Sequence, residues 1–365
     1  MKNVALVHYW LTNMRGGENV FAEFCKLFPE ADIFTHAWNP EKVGEPFDSH
    51  RIRETFISHL PLARRSCQIY LPLMPWALRR LDFSPYDLIL SNESGPCKGI
   101  RKPSHARHIC YCNTPMRYVW DMFDDYYRAA GIGGKIAMRM FKNYMRKYDL
   151  GSAENVDQFL ANSNFVADRI KRIYGRESIV VYPPVDTDYF VREKSDEAKD
   201  YYFFAGQLIS YKRPELALRA CLKMHRKLII AGDGPMRARL EKEAAGDPDI
   251  VFAGRTSRAQ LRKYYAEAKG LIFPGIEDFG IVPLEAQSSG TPVIALGIGG
   301  ALETVVHGKT GIFFSEPTVD SLCHAIEEFE ALRFDTQTII GHAKKFHRDV
   351  FVRKMRDVLG MNSPE

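Results

Sequence analysis

The sequence predicts an α/β protein made of two doubly wound domains, each built on a parallel sheet. Short apolar runs rich in β-branched and aromatic residues alternate along the chain with segments of helical period, which is typical of βαβ units. The chain has 365 residues, 45% of them hydrophobic, so it carries enough apolar material for about two domains of usual size. A proline-rich break near residue 181 separates the two series of units.

Eleven runs are predicted to be strands. In the first half they are Val4–Tyr9, Asp32–Thr35, Tyr86–Ser91, His108–Cys112 and Gln158–Asn162. In the second half they are Tyr201–Ala205, Lys227–Ala231, Ile250–Ala253, Leu271–Pro274, Pro292–Ala295 and Gly311–Phe314. Because the ligands of open parallel sheets bind beyond the carboxyl ends of the strands, we expect the functional residues in the loops that follow these runs.

The domain boundary is predicted in the segment Val180–Phe190, where two adjacent prolines disfavour both helix and sheet. A charged stretch, Arg192–Asp200, extends this linker. The tail after Thr318 contains helical segments without strands, and its last part is expected to form a C-terminal helix that packs back on the first domain. The predicted bounds of the first domain, the second domain and this helix are residues 1–180, 181–345 and 346–365.

Composition and charge exclude several classes of protein. The 50 Lys and Arg residues exceed the 45 Asp and Glu residues by only five, which disfavours nucleic-acid binding. The seven cysteines include no CxxC pair, which is typical of a reducing compartment rather than of a disulfide framework or a zinc site. The N-terminus lacks a signal peptide, and no run reaches the roughly 18 apolar residues of a membrane span. We expect a cytoplasmic protein, either soluble or peripheral to a membrane.

The charge is unevenly distributed along the chain. Residues 51–150 contain 17 Lys or Arg and 8 Asp or Glu. Within them, Leu60–Leu81 interleaves four arginines with aromatic and aliphatic residues, and Arg128–Lys147 has a similar pattern. Two interpretations are open. Either these segments lie on an anionic membrane, with roughly 1 kcal/mol for each cation, or their apolar residues are core and their cations a solvated face. We favour the membrane.

In the first domain, the predicted strand Val4–Tyr9 is followed by a glycine pair, Gly16 and Gly17, and then by a helix. Glycines let the backbone approach a ligand, and the first N–H groups of a helix point outward, so this turn could bind an anion. The motif is neither GxGxxG nor a P-loop, and a tight turn that serves only packing explains it equally well.

The second domain begins with a buried strand, Gly206, a loop with Lys212 and Arg213, and Pro214 at a first helical position. Two cations at a helix start beside the end of a strand suit a diphosphate, with lysine as a point charge and arginine as a fork. A solvated loop is the alternative. Two further strand ends repeat the pattern with glycine and basic residues, in the segments Leu228–Gly234 and Ile250–Arg255.

The segment Phe273–Pro292 contains two glutamates, Glu277 and Glu285, with Gly280 between them. Glu277 falls in a glycine-punctuated loop after a strand. Glu285 is predicted in the first turn of a helix that starts at Pro283, where its charge suits the helix dipole. Both carboxylates are expected at the carboxyl edge of the sheet, where they could bind sugar or ribose hydroxyls. Either glutamate alone is explained as well by a surface charge or a helix cap.

Two other patterns are not taken as sites. Asp186 and Asp188 spell the DxD motif of some metal-dependent transferases, but they follow two prolines, where Asp more often serves a turn or a cap. His105 and His108 have no partner carboxylate, so no metal site is assigned. No strand is followed by GxGxxG with an acidic residue about 20 positions later, which disfavours an NAD-dependent enzyme.

In this order the motifs resemble the GT4 family of retaining glycosyltransferases, which have the GT-B architecture of two facing Rossmann-like domains. The resemblance covers nearly the whole chain. It rests on RGGE at Arg15–Glu18, YCNTPMRYVWD at Tyr111–Asp121, YPPVDTDYF at Tyr182–Phe190, GQLISYKRP at Gly206–Pro214, the segment Glu277–Glu285 and GGALETVVHGKTG at Gly299–Gly311. The branch that it resembles is the mannosyltransferase-like one that builds bacterial O-antigen or exopolysaccharide.

The resemblance implies transfer of a glycosyl group from a nucleotide diphosphate sugar, with retention and without a metal or cofactor. It places Glu277 at the donor sugar, Glu285 at the nucleotide ribose and Lys212 at the diphosphate, where positive charge stabilises the leaving group. It implies further donor contacts for Gly16, Gly17, Gln207, Arg213, Arg255, Asp278, Phe279, Gly280 and Ile281. From the first domain, Asn113 would approach the reacting sugar and Arg117 the acceptor.

Two residues depart from the family pattern. Gln207 stands where the family commonly has Arg, so one diphosphate cation is missing unless Arg213 or Arg255 substitutes for it. Asn113 stands where the family often has His, and Asn can hydrogen-bond a sugar hydroxyl but cannot shuttle a proton.

The leading hypothesis is a retaining hexosyltransferase that moves mannose from GDP-mannose, with UDP-hexoses also open as donors, to a lipid-linked glycan at the inner face of a bacterial membrane. One alternative is another GT-B enzyme of sugar nucleotides, such as a 2-epimerase, which would isomerise the donor without an acceptor. The other alternative is a non-catalytic partner that binds sugar nucleotides, which the residues Gln207 and Asn113 motivate.

Overall fold

The computed structural model describes residues 3–191 and 199–361. The chain divides into two compact units, Met1–Pro183 and Pro184–Glu365, called unit 1 and unit 2 below. Most of the predicted charged linker Arg192–Asp200 lies outside the described residues, as do the last four residues of the predicted C-terminal segment. The packing of that segment on the first domain remains a prediction.

Unit 1 is built on a seven-stranded sheet in the order β3-β2-β1-β4-β5-β6-β7, with every neighbouring pair parallel. The strands are β1 Val4–His8, β2 Asp32–Thr35, β3 Ile52–Glu54, β4 Leu88–Glu93, β5 Arg107–Cys112, β6 Gln158–Ala161 and β7 Ser178–Val180. The helices are α1 Gly16–Leu27, α2 Ala63–Ser66, α3 Met74–Leu78, α4 Phe123–Ala129, α5 Ile132–Ala153 and α6 Asn164–Tyr174. Short 3-10 helices occupy Phe47–Ser49, Phe56–His59 and Cys67–Leu73.

Unit 2 is built on a six-stranded parallel sheet in the order β10-β9-β8-β11-β12-β13. Its strands are β8 Tyr202–Ala205, β9 Leu228–Ala231, β10 Ile250–Gly254, β11 Gly270–Phe273, β12 Val293–Leu296 and β13 Gly311–Phe314. Its helices are α7 Pro214–Met224, α8 Arg237–Ala244, α9 Arg258–Glu267, α10 Ile281–Ser288, α11 Ala301–Thr304, α12 Val319–Ala331, α13 Thr336–Ala343 and α14 Arg348–Leu359. Ser210–Lys212 and Lys344–Phe346 are 3-10 helices.

The central strands are continuous apolar runs because helices cover both faces of each sheet. Ile89 and Leu90 of β4 and Ile109 of β5 have no exposed surface, and the same holds for Phe203 of β8 and Leu271 of β11. Fully burying a side chain of this size contributes roughly 1.5–3 kcal/mol to the free energy of folding. These strands therefore hold the loops that follow them in fixed positions.

Each sheet has one point at which the strand order reverses. In unit 1, β1 lies between β2 and β4, and in unit 2, β8 lies between β9 and β11. Connections leave such a central strand and its neighbour toward opposite faces, which opens a space beyond the carboxyl ends, and ligands of doubly wound proteins bind there. We therefore expect ligand-binding residues in the loops after β1, β4 and β5 of unit 1 and after β8 and β11 of unit 2.

The predicted fold class is confirmed, because both sheets are parallel and both are doubly wound. All eleven predicted strands are present, with ends displaced by at most two residues. The sequence analysis missed β3 and β7, each of three residues at a sheet edge. β3 consists of Ile52 and two charged residues, so it has no apolar pattern, whereas the short apolar run of β7 overlaps the segment predicted to be the linker. Hydrogen bonds to β2 and β6, rather than burial, define them.

A buried ionic cluster joins three elements of unit 1. Lys98, in the loop after β4, lies 2.8 Å from the Glu93 carboxylate of β4 and also pairs with Asp149 of α5. The indole N–H of Trp120 and the hydroxyl of Tyr174 both donate to Asp149, at 2.6 and 2.9 Å. Burial acts to lower the pKa of Lys98, but the two carboxylates outweigh it and raise that pKa well above its ordinary value. The cluster anchors the C-terminal half of α5 to the sheet.

Replacing Lys98 tests this anchor. Lys98→Met would leave two buried carboxylates without their cation, so we expect the free energy of unfolding to fall by about 3–5 kcal/mol. The matched control is Lys102→Met, because Lys102 pairs with the 40% exposed carboxylate of Asp157, and we expect it to lose less than about 1 kcal/mol. Urea unfolding followed by tryptophan fluorescence reports unit 1, since the four tryptophans of the chain are Trp10, Trp38, Trp76 and Trp120. Equal losses for the two variants would contradict the account.

Candidate active site

In unit 2, the loops after β8 and β11 meet in an ion pair. Nζ of Lys212, at the end of the 3-10 helix Ser210–Lys212, lies 2.7 Å from Oε1 of Glu277 in the loop between β11 and α10. The two side chains are only 16% and 21% exposed. The structure therefore brings together the cation and the carboxylate that the sequence analysis singled out, which are separated by 65 positions in the chain.

Glycines allow the two loops to come this close. A Cβ on Gly206 would lie 3.4 Å from Nζ of Lys212, and a Cβ on Gly275 would lie 2.8 Å from the Lys212 Cα. A side chain at Gly275 would press on backbone, which cannot move aside as the end of a side chain can. The absence of a side chain at Gly275 therefore allows the two loops to approach each other this closely.

A second cation, Arg213, adjoins the pair. Arg213 has a left-handed backbone, with φ of 50°, and it directly precedes Pro214, the first residue of α7. Its Nη1 is buried and has no hydrogen-bond partner within the described part of the chain. Arg255, by contrast, is 87% exposed and lies 3.5 Å from Asp233. Gln207 is itself exposed. Of the two candidates to replace the cation missing there, Arg213 is the one with a buried guanidinium nitrogen that has no hydrogen-bond partner among the described residues.

Glu285 lies half-buried in α10 with its Oε2 accepting a hydrogen bond of 2.9 Å from the hydroxyl of Tyr265. Removal from water raises the pKa of Glu285 to about 7, although the Tyr265 hydrogen bond and the charge of Arg258 act to lower it. The predicted position in the first turn is wrong, because α10 begins at Ile281 and Glu285 is its fifth residue. Gly280, with φ of 97°, ends the loop and allows this earlier start.

The loop residues between the two glutamates have mixed roles. The side chains of Asp278 and Phe279 are buried, and the ring of Phe279 packs against that of Phe346 at 5.7 Å. Ile281 is half-buried. The backbone N–H of Gly300 donates to the Glu277 carbonyl at 2.9 Å, and a Cβ on Gly300 would overlap the Phe279 backbone. Gly300 is not among the predicted site residues, although the glycine pair at Gly299 and Gly300 is a signal for such a close approach.

In unit 1, side-chain amides join the start of α1 to the ends of β4 and β5. Asn92, fully buried near the end of β4, donates from Nδ2 to the carbonyl of Gly17 at 2.6 Å. Asn113, the residue after β5, donates to Oδ1 of Asn92. Asn92 is not among the residues predicted from sequence, because the predicted strand ends at Ser91. Two polar residues that continue the strand into the loop would have been the signal.

The remaining sequence-predicted residues of unit 1 lie near this edge. Gly16, the first residue of α1, is exposed, and Gly17 is half-buried. Glu18 follows them, is buried, and lies 3.5 Å from the ring of His8. Arg117 is half-buried in the turn between β5 and α4. The structure therefore brings the glycine pair close to Asn113 and Asn92. Glu18 contacts His8 of the same unit.

Two family models match the chain. The model for Glycosyltransferase Family 4 matches residues 14–189, and the model for Glycosyl transferases group 1 matches residues 185–346. Their ranges span both of the edges described above. The chain belongs to the GT4 family of glycosyltransferases.

Curated relatives agree with this membership, and solved structures agree with the fold. A D-inositol 3-phosphate glycosyltransferase of Kribbella flavida is 29% identical over 228 residues, which cover 54% of each chain. The chain spans about half the length of the curated relatives that it matches. The apo lipopolysaccharide outer core galactosyltransferase WaaB has a TM-score of 0.70 at 16% identity, covering 98% of this chain and 99% of its own. Anabaena HepE with UDP has a TM-score of 0.72 at 15% identity, covering 99% and 100%.

In this GT4 chain the two aspartates of the DxD motif have protein partners. Asp186 lies 2.9 Å from the guanidinium of Arg258, and Asp188 lies 3.2 Å from the ring of His347. Arg258 also stacks on Tyr189 at 4.2 Å. Among residues 3–191 and 199–361, no group of three or more His, Cys, Asp or Glu side chains has an arrangement that could hold a metal ion.

The predicted basic surfaces of unit 1 differ from each other in structure. In Leu60–Leu81, Met74 and Leu78 are buried, so they belong to the core and not to an interfacial face as expected. Ile69, Leu73 and Trp76 of the same segment are exposed. The guanidinium of Arg80 lies 3.6 Å from the Trp76 ring. This segment therefore combines core residues with a small exposed aromatic and basic patch.

The second surface is the first half of α5, which turns an apolar stripe outward. Ile132, Ile136, Met140 and Tyr144 follow one another at intervals of four, and their exposed fractions are 83%, 57%, 69% and 45%. The opposite face lies against unit 1, where Nζ of Lys142 is 3.7 Å from the ring of Phe123. No helix in the described part of the GT4 chain is long and apolar enough to cross a bilayer.

Proposed function

We propose that this GT4 protein transfers a hexose from a nucleotide diphosphate sugar. The observation that carries the proposal is the pairing of Lys212 with Glu277 beside Arg213 and Glu285, at the point where the strand order of unit 2 reverses. Two cations suit a diphosphate, and carboxylates suit the hydroxyls of a sugar and a ribose. The UDP that HepE binds supports a nucleotide ligand.

The chemistry follows from the leaving group. The acceptor hydroxyl attacks the anomeric carbon, the bond between that carbon and the diphosphate oxygen breaks, and the departing phosphate takes the acceptor proton on the same face. This gives retention. Lys212 and Arg213 stabilise the negative charge that develops on the diphosphate, which is the task that a metal ion has in other transferases. Family membership supports this metal-independent route.

The Lys212–Glu277 pair gives donor binding a definite consequence. In the ligand-free chain the lysine charge is neutralised by Glu277 at 2.7 Å. When a donor binds, its diphosphate would replace Glu277 as the partner of Lys212. Its sugar hydroxyls would replace Lys212 as the partner of Glu277. Because the pair is already partly shielded from water, little further desolvation is needed for this exchange. A nucleotide diphosphate without the sugar offers a new partner only to Lys212 and none to Glu277. We therefore expect the intact nucleotide sugar to bind more tightly than the nucleotide alone.

The first test measures turnover without metal. In EDTA, purified protein given GDP-mannose, UDP-glucose and other donors is expected to hydrolyse one of them slowly and to transfer it faster when an acceptor is present. Lys212→Met is expected to lower kcat/KM by about 100-fold or more, since it removes a charge aimed at the leaving group. Lys223→Met, which removes an exposed lysine charge from the same unit, is the control and should retain wild-type activity.

Three outcomes would contradict this part of the proposal. Turnover of none of the donors would refute it. Isomerisation of the donor without acceptor would instead identify an epimerase. Binding of a donor with no transfer in any condition would identify a non-catalytic partner.

The raised pKa of Glu285 predicts how donor affinity depends on pH. The ionised carboxylate accepts stronger hydrogen bonds from ribose hydroxyls, and through both oxygens, than the protonated carboxyl group does. A pKa of about 7 means that Glu285 is mostly protonated below neutrality. We expect the affinity for a nucleotide sugar to be about tenfold weaker at pH 6 than at pH 8. A nucleotide sugar is the correct probe, because both of its phosphates are esterified and neither titrates in this range.

The charged groups that act on Glu285 are Arg258, Asp186 and Lys212, and Tyr265 donates a hydrogen bond to it. The control is Glu285→Gln, which should bind more weakly and with equal affinity at both pH values. Calorimetry measures both. A pH dependence that persists in Glu285→Gln would assign the titration to another group.

For the acceptor we propose a lipid-linked glycan at the cytoplasmic face of a bacterial membrane, reached through the first half of α5. The outward stripe of this helix is apolar, and the segment from residue 132 to 148 contains five cations and no acid. Such a helix suits an anionic bilayer, whose surface attracts each cation by roughly 1 kcal/mol while the stripe is buried among the acyl chains. A small phosphorylated acceptor, as in the D-inositol 3-phosphate relatives, is the alternative.

Vesicle binding tests this surface. Co-sedimentation with vesicles of phosphatidylglycerol is expected to exceed that with phosphatidylcholine and to fall by about tenfold or more in Ile136→Glu, since the variant adds a negative charge and removes one apolar anchor. The control is Leu332→Glu, which changes an exposed leucine of unit 2 in the same way. No preference for the anionic lipid, or equal losses in the two variants, would refute the proposed membrane contact.

A further inference from the structure

One buried hydroxyl group holds the carboxylate of Glu285 in unit 2. The hydroxyl of Tyr265, in α9, donates to Oε2 of Glu285, in α10, at 2.9 Å. Among the described residues, no other group donates a hydrogen bond to this carboxylate. Arg258 acts on it only through its charge, because the guanidinium pairs with Asp186 at 2.9 Å and stacks on the ring of Tyr189 at 4.2 Å.

The hydroxyl of Tyr265 is a donor in a fixed place. Tyr265 has no exposed surface, and its ring lies edge-on to the rings of Phe190 and Phe203, with centroids 5.6 and 5.3 Å away. Its backbone carbonyl accepts a hydrogen bond of 2.6 Å from the hydroxyl of Thr291. Burial raises the pKa of Tyr265 well above its ordinary value, so the hydroxyl keeps its proton throughout the pH range of an enzyme assay.

The hydrogen bond sets the orientation of the Glu285 carboxyl group. Because Oε2 is turned toward the buried hydroxyl, Oε1 lies on the opposite side of the carboxyl carbon. Within residues 3–191 and 199–361, nothing donates a hydrogen bond to Oε1, and the side chain of Glu285 is only half-buried. A carboxylate oxygen without a protein donor can accept a hydrogen bond from a hydroxyl group of a ligand. Tyr265 thereby decides which oxygen of Glu285 is available to a ligand.

The same hydrogen bond affects the charge of Glu285. Removal from water raises the pKa of Glu285 to about 7, and the hydrogen bond from Tyr265 acts in the opposite direction. Without that hydroxyl, the ionised carboxylate would lose its donor, and its pKa would lie higher. A smaller fraction of the protein would then carry the ionised carboxylate near neutral pH.

We propose that Tyr265 is a positioning residue for the nucleotide part of the donor. Its hydroxyl fixes the Glu285 carboxyl group so that Oε1 accepts hydrogen bonds from the ribose hydroxyls, which Tyr265 itself does not contact. The inference rests on the proposed binding of a nucleotide sugar and deepens it, because recognition of the ribose then depends on a side chain buried behind the binding residue. Every residue that the inference needs belongs to unit 2.

Other ionisable groups lie on the elements around Glu285 and Tyr265. They are Arg258 of α9, Asp186 after β7, Lys212 after β8, Glu277 after β11, Glu303 of α11 and His342 of α13. His342 contacts Gln287 of α10, and burial lowers the pKa of His342 to about 4, so it is neutral above pH 6. All of these groups are retained in Tyr265→Phe. A difference in pH dependence between the wild type and this variant therefore reports the hydroxyl that was removed.

The test measures donor affinity as a function of pH. Tyr265→Phe keeps the ring between its two phenylalanine neighbours and removes only the hydroxyl. With the nucleotide sugar that the wild type turns over, calorimetry between pH 6 and 8.5 is expected to show the rise in affinity displaced upward by about one pH unit in the variant. At pH 7.5 the KM for the donor should rise by about threefold or more, with kcat unchanged within about twofold, because the ribose takes no part in bond breaking.

The matched control is Tyr202→Phe. Tyr202 is also buried in unit 2, and its hydroxyl also donates to a glutamate at 2.9 Å, but that glutamate is Glu330. Tyr202 is the first residue of β8, so it lies at the amino end of the strand and not at the carboxyl edge. The control should keep the affinity and the pH midpoint of the wild type. Tyr265→Met, which fills a buried space without a hydroxyl, replaces Tyr265→Phe if the latter does not fold.

A second measurement isolates the contact with the ribose. The same donor built on 2′,3′-dideoxyribose lacks both hydroxyls, and the wild type should bind it about tenfold or more weakly at pH 8. Tyr265→Phe is expected to lower this ratio of affinities, since it weakens only the hydrogen bonds that the analogue cannot make. Added to Glu285→Gln, it should change the affinity by less than about twofold, because the carboxylate through which Tyr265 acts is gone.

The possible outcomes separate this inference from the function on which it rests. If the wild type binds no nucleotide sugar, the proposed function fails and the role of Tyr265 fails with it. If the wild type transfers the sugar but binds the dideoxy analogue equally well, the role of Tyr265 alone is refuted. It is also refuted if Tyr265→Phe keeps the wild-type midpoint while folded, if Tyr202→Phe shifts the midpoint as much, or if the effects of Tyr265→Phe and Glu285→Gln are additive.

Discussion

Parallel strand pairing is the constraint on which the rest of the structure depends. Because neighbouring strands run in one direction, their carboxyl ends meet at one edge of each sheet, and each reversal of strand order leaves a space there. Residues far apart in the sequence consequently come together. Lys212 and Glu277 are paired across 65 positions in unit 2, and Gly17 is joined to Asn92 across 75 positions in unit 1. The polar chemistry of both units is a consequence of this topology.

Burial distinguishes the polar groups that can exchange partners from those that cannot. The Lys212–Glu277 pair keeps about a fifth of its side-chain surface in contact with solvent, so a ligand can replace either partner. Lys98 and Asp149 have almost no exposed surface, and separating such a pair leaves buried charge uncompensated. The same types of residue therefore serve a site in unit 2 and an anchor in unit 1. Asn92, which is fully buried, belongs with the anchors.

The sequence predicts the parts of this protein that local pattern controls. The strands follow from apolar periodicity, and Lys212 and Glu277 could be selected because each follows a strand. What depends on tertiary contact could not be predicted. Lys98 has nothing in its sequence surroundings that separates it from a surface lysine, Asn92 extends a strand beyond its apolar residues, and the outward face of α5 is decided by which side packs on unit 1. An amphipathic sequence pattern predicts that a helix has an apolar and a polar face, but it does not predict which face packs against the rest of the protein.

The central claim is that the carboxyl edge of unit 2 binds the diphosphate of a sugar nucleotide through the cation that Glu277 holds in the free protein. A crystal structure of the protein with bound UDP-glucose or GDP-mannose, whichever donor it turns over, tests it most directly. The account predicts a phosphate oxygen within hydrogen-bond distance of Lys212 Nζ, the Lys212–Glu277 ion pair broken, and the ribose hydroxyls on Glu285. A nucleotide bound elsewhere, with the ion pair intact at its 2.7 Å separation, would contradict it.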